Sequence, residues 1–386
     1  LLQTEQGQRY QFSTEPVAGE LVQVALIEQE EYQQYQHNLD YPLEAGYHRL
    51  ILTCKDTDFS FEQSLIITPG SCYQPPQFAQ QKQWGVSLQL YGLRSTRNWG
   101  IGDFTDLATL VNYLAGQGAD FVGLNPIHAL YPAMPESASP YSPSSRRWLN
   151  IIYIDVTAMP GYQQCSTTQD RVSTSAFSEA LTTQRERGWV DYSAVLQLKL
   201  PVMQGLYQWF VQHSGKEAGL AADFAKFKRE GGDSLRQLAL YDALHAFLIK
   251  QDSNHWGWPN WPEQYRDLQS DAVQQFALEH QPQLEFYCYL QFIAQQQLKA
   301  VQQQAKTSGM LLGLYRDLAV GVSEASTEIW SNGELYCREA SVGAPPDPLG
   351  PAGQNWGLPP MHPYQLFSQA YQPMIDLFRS NMQDAG

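Results

Sequence analysis

The chain is 386 residues long, 43% hydrophobic but only 16% charged, and carries a formal net charge of −15. Such a length holds two or three domains with a sizeable core, while the acidity argues against nucleic acid or an anionic membrane as a partner. No apolar run reaches transmembrane length, and five scattered cysteines without CxxC spacing fit reduced cytoplasmic thiols rather than a zinc site or a disulfide framework.

Residues 1–74 read as short β-strands. Leu21–Ile27 (LVQVALI), Tyr47–Cys54 (YHRLILTC) and Gln63–Thr68 (QSLIIT) are strand candidates, with turn signals such as Glu44-Ala45-Gly46 between them and no helical period. This predicts an all-β sandwich, serving as a sugar-binding module or as a spacer. The opening LLQTEQGQRY lacks the charged and apolar regions of a signal peptide. Residues 75–83, with Pro75-Pro76 and a Gln-rich tail, read as a linker.

From residue 84 the pattern changes. Trp84–Leu90 (WGVSLQL) predicts a strand, Asp103 sits at an N-cap position with Asp106 in the first turn, and Leu107, Leu110, Val111 and Leu114 recur at helical spacing. Gly116 and Gly118 close that helix, and Phe121–Leu124 (FVGL) is the next strand. Residues 84–159 thus begin as a β-α-β unit, the building block of parallel sheets and (β/α)₈ barrels. The Arg97-Asn98-Trp99-Gly100 loop either touches substrate or shapes its turn. His128 follows the second strand as a packing residue. Ser139-Pro140-Tyr141-Ser142-Pro143 is a loop whose prolines limit its freedom, so that Tyr141 can act as a stacking platform. Asn150–Val156 (NIIYIDV) reads as a further strand.

Residues 160–280 break the alternation. Helical periods run through Val202–Val211, Ala222–Phe227 and Leu235–Ile249, predicting a mainly helical insert. Within it Trp256, Trp258 and Trp261 either line a groove or cap the insert's own core. A long helix over Glu285–Thr307 leads to the apolar run Met310–Tyr315, a third buried strand that ends in Arg316-Asp317, read as a structural ion pair. The loop beyond it holds Asp347 and Gln354-Asn355-Trp356-Gly357 among four prolines, and loops so long are usually functional. Leu366, Phe367, Ala370, Tyr371, Met374, Ile375, Phe378 and Met382 then predict one helix with a single apolar stripe.

Four segments, in order, resemble the 4-α-glucanotransferases of the amylomaltase (disproportionating enzyme) family: SLQLYGLRSTRNWGIGDFTDL, SASPYSPSSR, YRDLAVGV and SVGAPPDPLGPAGQNWGLPP. The resemblance is closest to the long bacterial maltodextrin-metabolising members. It implies a multi-domain chain in which the β-sandwich is followed by a partial (β/α)₈ TIM barrel with a helical insert, residues 281–386 giving the third barrel strand, the substrate loop and a helix. It implies substrate contacts from Ser139 and Tyr141 on the donor side and from Asp347, Gln354, Asn355 and Trp356, with Trp356 stacking on sugar. Asp347 alternatively fixes its own loop. The partners implied are α-1,4-glucans and maltooligosaccharides, with no metal or organic cofactor. Short members carry an Asp where this sequence has Ala325.

Retaining glycosyl transfer needs two carboxylates, one nucleophile and one acid/base, about 5–5.5 Å apart. By the resemblance both follow later barrel strands, so they are expected beyond Gly386, and the chain is expected to be inactive alone. It would then stop before strand four, leaving an unfinished barrel edge through which it self-associates. The alternatives are a non-catalytic glucan-binding fragment and an α-amylase-type hydrolase.

Overall fold

The computed structural model describes residues 1–79 and 82–386, so two positions of the expected linker, 80 and 81, lie outside the described residues. Internal contacts divide the chain into two units, Leu1–Lys82 and Gln83–Gly386.

The first unit is built from β1 (Leu2–Gln3), β2 (Arg9–Tyr10), β3 (Glu20–Ile27), β4 (Glu30–Gln36), β5 (Gly46–Thr53) and β6 (Ser60–Ile67). One antiparallel sheet runs in the order β2-β1-β5-β6, and β3 pairs with β4 as a separate ribbon. Glu28 and Gln29 turn that ribbon with both residues at positive φ, the geometry that matches the twist of a two-residue hairpin. The sequence EEYQQYQ of β4 has almost no apolar alternation, which is why pattern reading passes over it. Leu2 and His48 lie buried, whereas Leu21, Val22, Val24, Leu26 and Ile27 of β3 are exposed.

The second unit contains β7 (Gly85–Leu88), α1 (Phe104–Gly116), β8 (Phe121–Leu124), β9 (His128–Ala129), β10 (Ser145–Leu149) and β11 (Gly313–Arg316). Strands β7, β8 and β11 are parallel, ordered β11-β8-β7, and end level with one another at Leu88, Leu124 and Arg316. Asp103 caps α1 by accepting from the amides of Thr105 and Asp106, and Asp106 returns the bond to the Asp103 amide. Strands β9 and β10 pair with each other outside the parallel sheet.

The strand expected at Asn150–Val156 is absent. Asn150 and Asp155 instead accept from the Ile152 and Thr157 amides, closing two 3-10 turns at Ile151–Tyr153 and Val156–Ala158. Short polar side chains that bond their own backbone compete with a strand ladder. Between the second and third parallel strands lie α2 (Ser166–Val172), α3 (Ser175–Glu186), α4 (Tyr192–His213), α5 (Ala218–Gln251) and α6 (Asp271–Glu279). The long helix α7 (Gln281–Thr307) packs on α1 and α5 and leads into β11.

Glutamines on α7 take over part of the work of a missing strand neighbour. Gln291 bonds both the amide and the carbonyl of Leu149, at 3.0 and 2.8 Å. Gln297 does the same for Asp155, at 2.8 and 2.9 Å. Gln302 accepts from the Leu314 amide at 2.7 Å and donates to the Leu312 carbonyl at 3.0 Å. A primary amide matches a peptide group in donor and acceptor, so each glutamine satisfies backbone that would otherwise be buried unpaired. Gly313 is the residue this arrangement demands, because its φ is +78° and an added Cβ would lie 2.3 Å from Gln302 Oε1.

Beyond β11 come α8 (Thr327–Ser331), a hairpin of β12 (Val342–Ala344) and β13 (Gln354–Leu358), then α9 (Pro363–Ser368) and α10 (Gln372–Met382). The single helix expected over Leu366–Met382 is two, broken by Ala370 and Tyr371 at positive φ just before Pro373. Its apolar stripe is divided with it: Leu377 is buried, while Phe367, Phe378 and Met382 are exposed.

Candidate functional site

The level carboxyl ends of three parallel strands form a rim, the usual location of ligand sites in such sheets. Tyr91 follows β7 in a 3-10 turn whose first residue, Leu90, donates its amide to Asn125 Oδ1 at 2.8 Å. Asp317 follows β11. The half-exposed Tyr141 lies near Asp317 and Tyr91, and burial together with the Asp317 charge raises its pKa.

Arg316 and Asp317 do not form the expected ion pair. The Arg316 guanidinium instead donates to the carbonyls of Ser380, Asn381 and Gln383 at 3.2–3.4 Å, at the end of α10. Burial lowers its pKa to about 10, with Asp384 opposing. Alternation along the strand separates the two side chains.

The loop that carries Ser139 and Tyr141 is held from its far end by buried charge. Arg146 on β10 donates to Glu328 through its backbone amide at 2.5 Å and its guanidinium at 3.0 Å, and also to the Val320 carbonyl at 2.9 Å. The Tyr336 hydroxyl donates to the same Glu328 carboxylate at 2.6 Å. Burial alone would raise the Glu328 pKa, but the Arg146 charge and the bonds from Arg146 and Tyr336 together outweigh it and hold the pKa below the usual range. Ser144 and Thr327 hydroxyls meet at 2.8 Å beside this pair. His128 sits underneath, accepting from the Ala319 amide at 3.1 Å, and burial and two arginines lower its pKa to about 3. It is a neutral packing residue.

Asp347, Gln354, Asn355 and Trp356 share the β12–β13 hairpin. Asp347 Oδ1 accepts from the amides of Leu349 and Gly350, at 2.8 and 2.6 Å, and so shapes its own turn. Asn355 Oδ1 accepts from Ser341 Oγ at 2.6 Å, and Gln354 Oε1 from the Trp356 indole at 2.9 Å. Trp356 is 43% exposed. The hairpin is rooted where Leu358 packs against Gly321 and the Cys337 amide bonds the Pro360 carbonyl at 2.9 Å. Among the described residues no hydrogen bond or ring contact joins the Ser139–Tyr141 loop to this hairpin.

Other candidates resolve differently. Arg97 binds Asp103, Asp106 and Asp155, while Asn98 and Trp99 are buried, so that loop shapes its turn. Trp261 is buried against Tyr241 and Trp330, and Trp258 donates its indole N–H to the Glu324 carbonyl at 2.9 Å. Only Trp256 of the three is substantially exposed. Tyr91 gave no signal in the sequence beyond its place after a strand. Among the described residues no helix is long and apolar enough to cross a membrane.

Residues 88–386 match the family described as 4-alpha-glucanotransferase. The chain belongs to the 4-alpha-glucanotransferase family. Residues 1–69 match the MalQ N-terminal beta sandwich domain, so the first unit is that sandwich. The 4-alpha-glucanotransferase of Haemophilus influenzae is 41% identical over 350 residues, covering 89% of this chain and 50% of that protein. That of Mycobacterium tuberculosis is 33% identical over 359 residues, covering 90% and 46%. Among solved structures, the amylomaltase from Corynebacterium glutamicum aligns with a TM-score of 0.78 and 29% identity, over 100% of this chain and 50% of that one. The chain thus spans about half the length of the 4-alpha-glucanotransferases it matches.

Proposed function

We propose that the chain forms one part of the substrate cleft of a cytoplasmic 4-α-glucanotransferase, which moves α-1,4-glucan segments between maltooligosaccharides by a retaining double displacement. The observation that carries this is the level ending of three parallel strands, with Tyr91 in the turn after β7, Asp317 directly after β11 and the half-exposed Tyr141 nearby. Aromatic rings beside hydrogen-bonding side chains suit a sugar, which has an apolar face and a polar edge. Ser139 and Tyr141 hold the donor side. Trp356 stacks on a glucosyl ring, with Gln354, Asn355 and Asp347 bonding hydroxyls once substrate competes for their local bonds.

In this reading β7, β8 and β11 are the first three strands of a (β/α)₈ barrel and residues 160–280 a helical insert between the second and third. In support, the Gly386 amide bonds the Leu314 carbonyl at 2.9 Å, along the edge of β11. In this reading the nucleophile and the acid/base are supplied from outside these 386 residues, and the chain alone binds glucan without turning it over. The exposed Phe367, Phe378 and Met382 make self-association a corollary.

The test is calorimetric titration of the 386-residue chain with maltoheptaose, alongside incubation with maltotriose. Binding without new products is the expected outcome. A ladder of longer sugars overturns the assignment of the chemistry elsewhere, and the absence of any binding overturns the cleft itself.

A further inference from the structure

The Ser139 loop borders a recess of about 280 Å³ that is lined by neither Tyr141, Asp317 nor the β12–β13 hairpin. Its walls include Ser139, Ser142, Ser323, Glu136 and Tyr131, and, from the segment after α5, Trp256. Trp256 is 42% exposed, although the next two tryptophans, at 258 and 261, are buried.

The local structure fixes Trp256 where it is. The His255 amide bonds the Asp252 carbonyl at 3.0 Å to start the turn, and the buried His245 faces the Trp256 backbone. Gly257 lies against Ala325, where an added Cβ would come within 2.8 Å of the Ala325 methyl. Tyr241 donates to the Ala325 carbonyl at 2.6 Å, and Trp258 to that of Glu324. The backbone that carries Trp256 is thus held on the segment after β11, while Ser139 lies on the loop between β9 and β10. A backbone fixed before binding has less freedom to lose when a ligand stacks on its side chain.

The chemistry of the walls narrows the ligand. No lysine, arginine or histidine lines the recess and one carboxylate does, which disfavours an anion. Several hydroxyls facing an indole suit a neutral polyol with one apolar face. We propose that the recess is a further glucosyl subsite, in which Trp256 stacks on an α-linked glucose while Ser139, Ser142 and Ser323 bond its hydroxyls. This rests on the reading of the chain as part of a glucan cleft. Since Ser139 is shared, a glucan held at Tyr141 continues into the recess, and only the longer oligosaccharides reach Trp256.

The experiment is calorimetric titration of the full 386-residue chain and its Trp256→Ala, Trp256→Phe and Ser323→Ala variants with maltotriose and maltoheptaose. Melting curves confirm that each variant is folded. Trp256→Ala should weaken maltoheptaose binding about tenfold and leave maltotriose binding unchanged, with Trp256→Phe recovering most of the loss. Ser323→Ala, which keeps the indole, should weaken maltoheptaose binding about threefold and so carries the test if Trp256→Ala fails to fold. Unchanged maltoheptaose affinity in folded variants overturns the subsite while leaving the cleft reading intact. An equal loss for both sugars also overturns it, since Trp256 would then act through the Ser139 loop. Absence of binding by the parent chain overturns the subsite and the cleft together.

Discussion

Two segments carry the candidate sugar contacts, and they are held in place by opposite means. The Ser139–Tyr141 loop and the Asp347–Trp356 hairpin are both proline-rich, and each presents a half-exposed aromatic ring. The loop is anchored by a buried ion pair, Arg146–Glu328, that ties β10 to α8 and to the Tyr336 hydroxyl. The hairpin relies on bonds within itself, from Asp347, Gln354 and Asn355 to neighbours in the same segment. One ring therefore sits on a segment tied down by a buried charge, whereas the other sits on a hairpin rooted only at its base, by Leu358 against Gly321 and the Cys337–Pro360 backbone bond. Prolines alone do not make a platform rigid; a bond from their segment to the core does.

The largest effect should come from breaking the buried pair. Glu328→Ala leaves the Arg146 guanidinium buried without its partner and should cost about 3–5 kcal/mol, read as a lowered midpoint in urea unfolding. Arg146→Met combined with Glu328→Leu should cost less than the sum of the single changes, because no charge is then stranded. The same pair sets an acid limit. The folded Glu328 carboxyl has a lowered pKa, so its stabilisation is complete above the ordinary glutamate value and is lost as pH falls through the lower folded one. Glu328→Gln should flatten the acid limb of a plot of melting temperature against pH. If the limb is unchanged, the loop is not held by this charge.

The contrast also explains what pattern reading could recover. The β-α-β unit was legible because Asp103, the apolar period of α1 and Gly116 with Gly118 agree at every level. The family was legible from four ordered segments that survive as loops at strand ends. What the sequence hid was side-chain bonding to distant backbone. Gln291, Gln297 and Gln302 look like solvent-facing helix residues, yet each closes a peptide group that a strand would have paired. Asn150 and Asp155 act locally instead, turning an apolar run into 3-10 turns by accepting from amides two residues on. Arg316 and Asp317 suggested a pair because they are adjacent, but a strand sends neighbours to opposite faces. For the candidate site, the loops were visible while the partner that each side chain would choose was not.

A smaller effect should come from the hairpin's ring. Trp356 is 43% exposed and its indole bonds Gln354 of its own strand, so Trp356→Ala should leave stability within about 0.5 kcal/mol of the parent. Maltoheptaose affinity should nevertheless fall about tenfold by calorimetry. A change in stability as large as that in affinity would place Trp356 in the core rather than on an exposed hairpin.

The smallest effect is the sharpest test of the difference between the two segments. Asp347 Oδ1 closes the hairpin tip by accepting from two successive backbone amides, those of Leu349 and Gly350. Asp347→Ala removes both bonds, and amide hydrogen exchange at Leu349 and Gly350 should quicken about fivefold. Asp347→Asn keeps an oxygen in the same place and should restore most of the protection. Since the tip shares no buried contact with the Arg146–Glu328 pair, the melting temperature should not move in either variant, and exchange at Arg146 should stay slow. If the melting temperature falls with Asp347→Ala, the hairpin is a structural extension of the loop's anchor, and the two segments respond to substrate as one.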